Sequence, residues 1–283
     1  MNLRQLLLLV GAGTALVKGL TINELRKNMG LGVNLGNTFD FKKDWSETVI
    51  EDENSPLWSD SEVTVKEAIE GYKQLGFNSI RIPVRWYPSS TPSTKTPIEP
   101  NLFKSVDTVV RTIIENDMYV VINLETNNIY MNGFISEDKD VKSETYDSYK
   151  GTWKAIADYF KDYDEHLLFE SMNEVGFWDS IWSSRTGEGD RQKAYDILRQ
   201  VNQEFVNAVR SSDNYNAERW LLIEGYASDP ILSQDHFLKI TSDPVVKVIV
   251  SMYYYEPLEF TIIDKVKNMC ILLLFLILNI FIK

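Results

Sequence analysis

Short apolar runs alternate with amphipathic stretches from one end of the chain to the other. The runs at 31–36, 79–84, 119–124, 167–172, 220–224 and 245–254 are apolar at successive positions, so they predict strands covered on both faces. Between them, stretches at 64–75, 102–116, 145–159 and 191–210 repeat their apolar positions at helical spacing. Strand and helix recur at a spacing of about 40 residues, room enough for a βαβ unit and its loops. A doubly wound open sheet and a (β/α)8 barrel share this alternation. No GxGxxG turn follows the first strand, which removes the main mark of a dinucleotide-binding fold. Polar residues instead gather just past the strand C-termini, the face on which a barrel carries its chemistry. An α/β fold of the TIM-barrel type is therefore predicted.

Two segments break the pattern. Residues 1–19 place one arginine before a short apolar run that fades into Gly and Ala, the order of a secretory signal peptide, although a buried first helix is the competing reading. Secretion to the extracellular space is the expectation. Residues 269–282 are apolar except for Asn279, yet the run is shorter than the roughly 20 residues of a comfortable membrane span. It also lacks a polar face. A buried element, a membrane tether and the product of a misread gene end all remain open for it. The expected organisation is a signal at 1–19, one catalytic domain at 20–260 and a hydrophobic tail at 261–283.

Composition narrows the partners. With 283 residues, 44% hydrophobic and 25% charged, the chain is of ordinary globular make-up, and disordered or collagen-like classes are excluded. Acidic residues number 41 against 29 basic ones, a formal charge of -12 with no basic stripe, so nucleic acid is excluded as a partner. The single cysteine, Cys270, lies in the apolar tail, and His166 and His236 are not spaced as a metal pair. No metal and no cofactor is expected.

Three segments carry candidate chemistry. In HLLFESMNEVG (166–176) an apolar strand ends abruptly in Asn173 and Glu174. In GFNSIRIPVRWYP (76–88) Arg81 interrupts an apolar strand; a guanidinium there needs a partner, since burying it alone costs several kcal/mol. A surface ion pair is the plain reading of Arg81. The third segment, MGLGVNLGNTFD (29–40), is another strand with a polar tip. Together with VIVS-x-x-x-YEP (248–257) and the NQEFVNAVR helix (202–210), these segments resemble the glycoside hydrolase family 5 endoglucanases, from about residue 25 to 257.

That resemblance implies a retaining endo-acting hydrolase of β-1,4-glucan or mixed-linkage glucan, with β-glucan as its partner. It implies Glu174 as the acid/base, which protonates the leaving sugar oxygen and later deprotonates water. Asn173 is implied as the ligand of the sugar 2-hydroxyl, Arg81 as the group that keeps the nucleophilic carboxylate ionised, and Tyr255 as a hydroxyl touching that carboxylate. Asn37, in the LGNT turn, and Tyr253 are further implied substrate contacts.

This sequence departs from the family pattern in three places. A pair of histidines usual after the third strand is missing, and VVINL runs directly into Glu125. Tyr253 stands where the family has a substrate-facing histidine. No segment resembles strand seven, the home of the nucleophilic glutamate, so the barrel is expected to be incomplete, with about six of eight strands, and the nucleophile absent. Glu256 and Glu259 are the only acids shortly after strand six. Glu125 and Glu224 also fall at strand ends and read as solvated or paired with loop donors. A non-catalytic glucan-binding protein is the alternative.

Aromatic side chains fit a sugar cleft, because flat pyranose faces pack on indoles while the hydroxyl rim stays wet. Trp45 and Trp178 are the chosen candidates; Trp58, Trp86, Tyr87, Phe177 and Trp182 share the pattern, and about half of the set is expected to anchor loops instead. Trp153 and Trp220 read as core.

Overall fold

A computed structural model describes residues 19–40, 49–58, 61–86, 98–125, 128–176, 180–235, 238–239 and 241–254. The elements run α1 (Ile22–Met29), β1 (Gly32–Asn34), α2 (Val65–Gln74), β2 (Ser79–Ile82), α3 (Pro100–Glu115), β3 (Tyr119–Asn123), α4 (Asn128–Phe134), α5 (Lys139–Tyr159), β4 (Leu167–Glu170), α6 (Arg191–Arg210), β5 (Leu221–Glu224) and β6 (Val248–Ser251). All strand pairs are parallel, and the order in the sheet is β1-β2-β3-β4-β5-β6.

That order decides between the two architectures. A doubly wound sheet reverses direction at a switch point, whereas here every strand lies beside the next one in sequence. The fold is of the barrel type, and among the described residues it is not closed.

Each predicted strand and helix is present, with strands trimmed at their ends. Helices α1 and α4 were not foreseen. α1 hides in eight residues opened by a capping box, in which the Thr21 hydroxyl accepts from the Glu24 amide and the Glu24 carboxylate accepts from the Thr21 amide. α2 starts on the same device with Thr64 and Glu67. Asp138 and Asp190 cap the first turns of α5 and α6.

Alternation along the strands builds two environments. Ile80, Ile82, Val120, Ile122, Leu167, Phe169, Leu221 and Ile223 face outward into the main core against the helices. Tyr119, Val121, Leu168, Leu222 and Ile249 face the other way and pack with Leu25 and Met29, so α1 plugs the N-terminal end of the sheet's inner face. Further up the same inner parity come Asn34, Arg81, Asn123, Glu170, Glu224 and Ser251, one from each strand. The strands that read as apolar on both faces thus turn polar at their C-terminal tips.

The proposed signal segment (apart from Gly19), the tail, and Trp45, Tyr87, Phe177, Trp178, His236, Tyr255, Glu256, Glu259 and Cys270 lie outside the described residues.

Candidate active site

The C-terminal end of β4 is clamped before it opens to solvent. Ser171 donates its amide to the Leu222 carbonyl at 2.9 Å, and its own carbonyl accepts from the Tyr149 hydroxyl and the Trp153 indole, each at 3.0 Å. The Ser171 hydroxyl donates to Asn202 Oδ1 at 2.9 Å, and Asn202 Nδ2 donates to the Glu224 carbonyl at 2.9 Å. Helices α5 and α6 thereby fix the ends of β4 and β5 against each other. Trp153 is core, as expected, and also a hydrogen-bond donor to the rim.

Just beyond this clamp the chain turns at Glu174, whose φ of +51° is left-handed. A non-glycine residue there costs about 1–2 kcal/mol, and it breaks the strand's alternation where Asn173 is half-buried and Glu174 is exposed. Asn37, in the turn after β1, has φ +58° and is likewise exposed; asparagine tolerates this conformation well.

Arg81 is the hub. Its Nε donates to Glu170 Oε2 at 2.5 Å, Nη1 to Asn34 Oδ1 at 3.0 Å and Nη2 to Asn173 Oδ1 at 2.9 Å. Arg81 is 6% exposed and Glu170 fully buried, so the partner that a guanidinium inside an apolar strand requires is present and the pair is buried, not the surface ion pair weighed against it. Glu170 was missed from the sequence. Its signal was there: an acid inside one apolar strand, matching an arginine inside another. Ser251 donates to the other oxygen of Glu170 at 2.5 Å. Burial works against the Arg81 charge, but Glu170 above all outweighs it and holds the guanidinium above its ordinary range.

Asn173 receives two donors on one oxygen. The Tyr253 hydroxyl reaches Oδ1 at 2.7 Å beside the Arg81 contact, and the Arg81 guanidinium lies 5.3 Å from the Tyr253 ring centre. Burial keeps the Tyr253 phenol well above its usual range. On its nitrogen side Asn173 donates to Glu125 Oε1 at 3.4 Å. The structure therefore joins Arg81, Asn173 and Tyr253 directly, with Glu174 next in the chain.

The two other strand-end acids are paired with donors beyond the strand ends, one of the two expected states. Glu224 is fully buried, accepts from the Ser228 hydroxyl in the following loop, and is pushed well above the carboxylate range by burial and by neighbouring Glu170. Glu125 is half-buried, and its carboxyl is pushed up to about 7 by burial, with Asp40 and Glu174 adding to the rise and Arg81 and Arg85 opposing it.

Among the aromatic candidates, Trp86 is buried against Phe103 and Phe160 and donates to the Asn123 carbonyl at 2.8 Å. Trp182 is buried against Tyr195 and Tyr226. Neither offers a face to a cleft, and both anchor loops. Trp58 is half-buried and donates to the Thr38 hydroxyl at 2.9 Å. Trp220 is core, as expected, and bonds the Leu20 carbonyl. His166 is bonded to Asp164 and lies against the Tyr119 ring, a structural role. Among the described residues no group of three or more His, Cys, Asp and Glu side chains is placed to hold a metal ion.

A buried arginine–carboxylate pair lies beneath the Asn173-Glu174 tip of the fourth strand, and the family comparison assigns the chain. Residues 36–269 match the family described as Cellulase (glycosyl hydrolase family 5). The chain belongs to glycosyl hydrolase family 5. Endoglucanase B of Ruminococcus albus is 32% identical over 247 residues, covering 86% of this chain and 55% of that protein. The xyloglucan-specific endo-β-1,4-glucanase of Bacteroides ovatus is 29% identical, covering 89% of this chain and 48% of that protein. This family 5 chain thus spans about half the length of these relatives. Among solved structures, a broad-specificity endoglucanase from Ruminococcus champanellensis with bound cellotriose superposes with a TM-score of 0.70 at 28% identity, covering 87% of this chain and 69% of that one. A family 5 lichenase from Caldicellulosiruptor with bound cellotetraose gives 0.69 at 29% identity, covering 86% and 65%. Family 5 endoglucanases are glycoside hydrolases, and the barrel-type fold of this chain is theirs.

Proposed function

We propose that the C-terminal rim of this chain is a β-1,4-glucan site and that Glu174 is the acid/base of an endo-acting, retaining hydrolase. One observation carries the reading: Asn173 and Glu174 stand at the tip of β4, with Asn173 held by both Arg81 and Tyr253. An amide locked from behind presents a fixed partner to a sugar hydroxyl, and the exposed carboxyl beside it has access to a glycosidic oxygen. The bound cellotriose and cellotetraose of the two similar structures support a glucan as ligand. Asn37, Trp45, Trp178 and Tyr255 complete the proposed substrate contacts.

A retaining reaction needs a second carboxyl about 5–5.5 Å from the first. Among the described residues Glu170 is engaged by Arg81 and Ser251, Glu224 is buried, and Glu125 bonds Asn173. We assign none of these described carboxyls as nucleophile, and propose that the described rim, without a second carboxyl, carries out little or no hydrolysis by itself. Glucan binding without hydrolysis is the second reading, favoured by the engagement of each described strand-end carboxyl that could serve as a second acid. We also propose that residues 1–19 direct secretion, on their charged, apolar, small-residue order.

The test is reducing-sugar release from soluble mixed-linkage β-glucan by the chain and by its Glu174→Gln variant. Negligible release by both, with glucan retained on a binding assay, is the expected outcome. Clear release that disappears in the variant would overturn the missing nucleophile and keep Glu174. Absence of glucan binding by the folded chain would overturn the site itself.

A further inference from the structure

We propose that Glu125 is a sugar-contacting residue, accepting a hydrogen bond from a glucan hydroxyl beside Asn173, and that its ionisation sets how tightly glucan is held. This rests on the rim being a glucan site. The geometry begins with Asn173. Arg81 and Tyr253 both donate to its Oδ1, at 2.9 and 2.7 Å, which fixes the amide with its oxygen toward them and its nitrogen toward Glu125. Glu125 Oε1 lies 3.4 Å from that nitrogen, the longest of the cluster's hydrogen bonds. A fixed N–H donor beside a carboxylate acceptor is the complement of a hydroxyl, which accepts with its oxygen and donates with its proton.

Glu125 is itself well placed for this. Its amide donates to the Val84 carbonyl at 2.8 Å, so its backbone is tied to the end of the neighbouring strand, and it follows buried Leu124. The charged groups that face it are Arg81 from β2, Arg85 just beyond β2, Asp40 beyond β1 and Glu174 beyond β4. Burial leads in pushing its carboxyl up to about 7, so it changes charge across the neutral range.

The sign follows from linkage. A hydroxyl donating to Glu125 favours the charged form, so bound sugar lowers the midpoint of Glu125 below its free value. The contribution to affinity is then complete above the free midpoint near 7 and is lost as pH falls through the bound one. Hydrogen bonds to charged acceptors exceed neutral ones by enough to give about a fivefold change in affinity.

The experiment is calorimetric titration of the full chain with cellotriose across the neutral range, beside the Glu125→Gln variant, with carbon NMR of the Glu125 carboxyl in the unaltered protein. Binding about fivefold tighter near pH 8.5 than near pH 5.5 is expected. The variant should bind at the weaker level with no such pH dependence, and cellotriose should move the Glu125 midpoint downward. A pH dependence that survives in the variant, or a Glu125 midpoint that cellotriose does not move, would overturn the inference and leave the glucan site standing. No cellotriose binding at any pH would overturn both.

Discussion

The two ends of the inner face of this sheet are made from the same strands and do different work. At the N-terminal end Leu168, Leu222 and Ile249 pack on Leu25 and Met29 of α1, and the interior is a dry plug. Two residues further along β4, β5 and β6 stand Glu170, Glu224 and Ser251. Burial at the first end is favourable in itself, by about 25 cal/mol per Å² of apolar surface. At the second end burial is costly, and each group persists because another answers it: Arg81 answers Glu170, Ser251 answers its second oxygen, and Ser228 answers Glu224. Polar groups held at such cost are preorganised, which is what a binding or catalytic rim requires.

The largest effect is expected from Arg81→Met. It leaves Glu170 buried without its cation and should cost about 3–5 kcal/mol of unfolding free energy, measured by urea denaturation, together with glucan binding. A cost near zero would mean that Glu170 is not held as a buried ion. Next comes the opposite end. Leu222→Ala should cost about 2–4 kcal/mol by the same measurement yet leave glucan affinity in the surviving folded protein unchanged, because its contacts are with the plug.

A smaller effect separates acids within the rim. Glu125 binds a proton more tightly in the folded state than a free glutamate does, so between roughly pH 4.5 and 7 the folded chain holds more protons than the unfolded one. Stability contributed by this group therefore falls as pH rises through that window. Glu125→Gln should stabilise the protein by about 1 kcal/mol above pH 7, a value discounted for the water that reaches a half-buried group, and change nothing at pH 4. Thermal denaturation at the two pH values reads the difference. Smallest of all is Glu224→Gln, which puts a neutral group of the same shape where burial raises the carboxyl well above its ordinary range; a change within about 0.5 kcal/mol in urea denaturation is expected, and a large loss would show that Glu224 is charged.

Much of this was legible in the chain itself. The strands and their parallel order follow from apolar runs alternating with helical periodicity, and the tip of β4 stood out because Asn173 and Glu174 end an apolar run. Arg81 announced that it had a partner but not which one. The partner, Glu170, is 89 residues away and is brought into line by the alternation of two strands, a relation that only the sheet's register reveals. Which tryptophans of the set anchor loops was not legible, for the reverse reason: an indole in a loop sequence looks the same whether it faces sugar or core, and Trp86 and Trp182 prove to be buried with aromatic neighbours. α1 escaped notice because eight residues carry too little periodicity, although its capping box was present in Thr21 and Glu24. Glu125 was seen as a strand-end acid, but its environment depends on Asp40, Arg81 and Glu174, which come from three other strand ends.

The most direct test of the division between the two ends is cellotriose affinity in two variants matched for fold, Asn173→Ala at the rim and Leu168→Val at the plug. Both should remain folded by circular dichroism. Asn173→Ala should lose at least tenfold in affinity, about 1.4 kcal/mol, while Leu168→Val should bind as the unaltered chain does. Equal affinities in all three proteins would contradict that division.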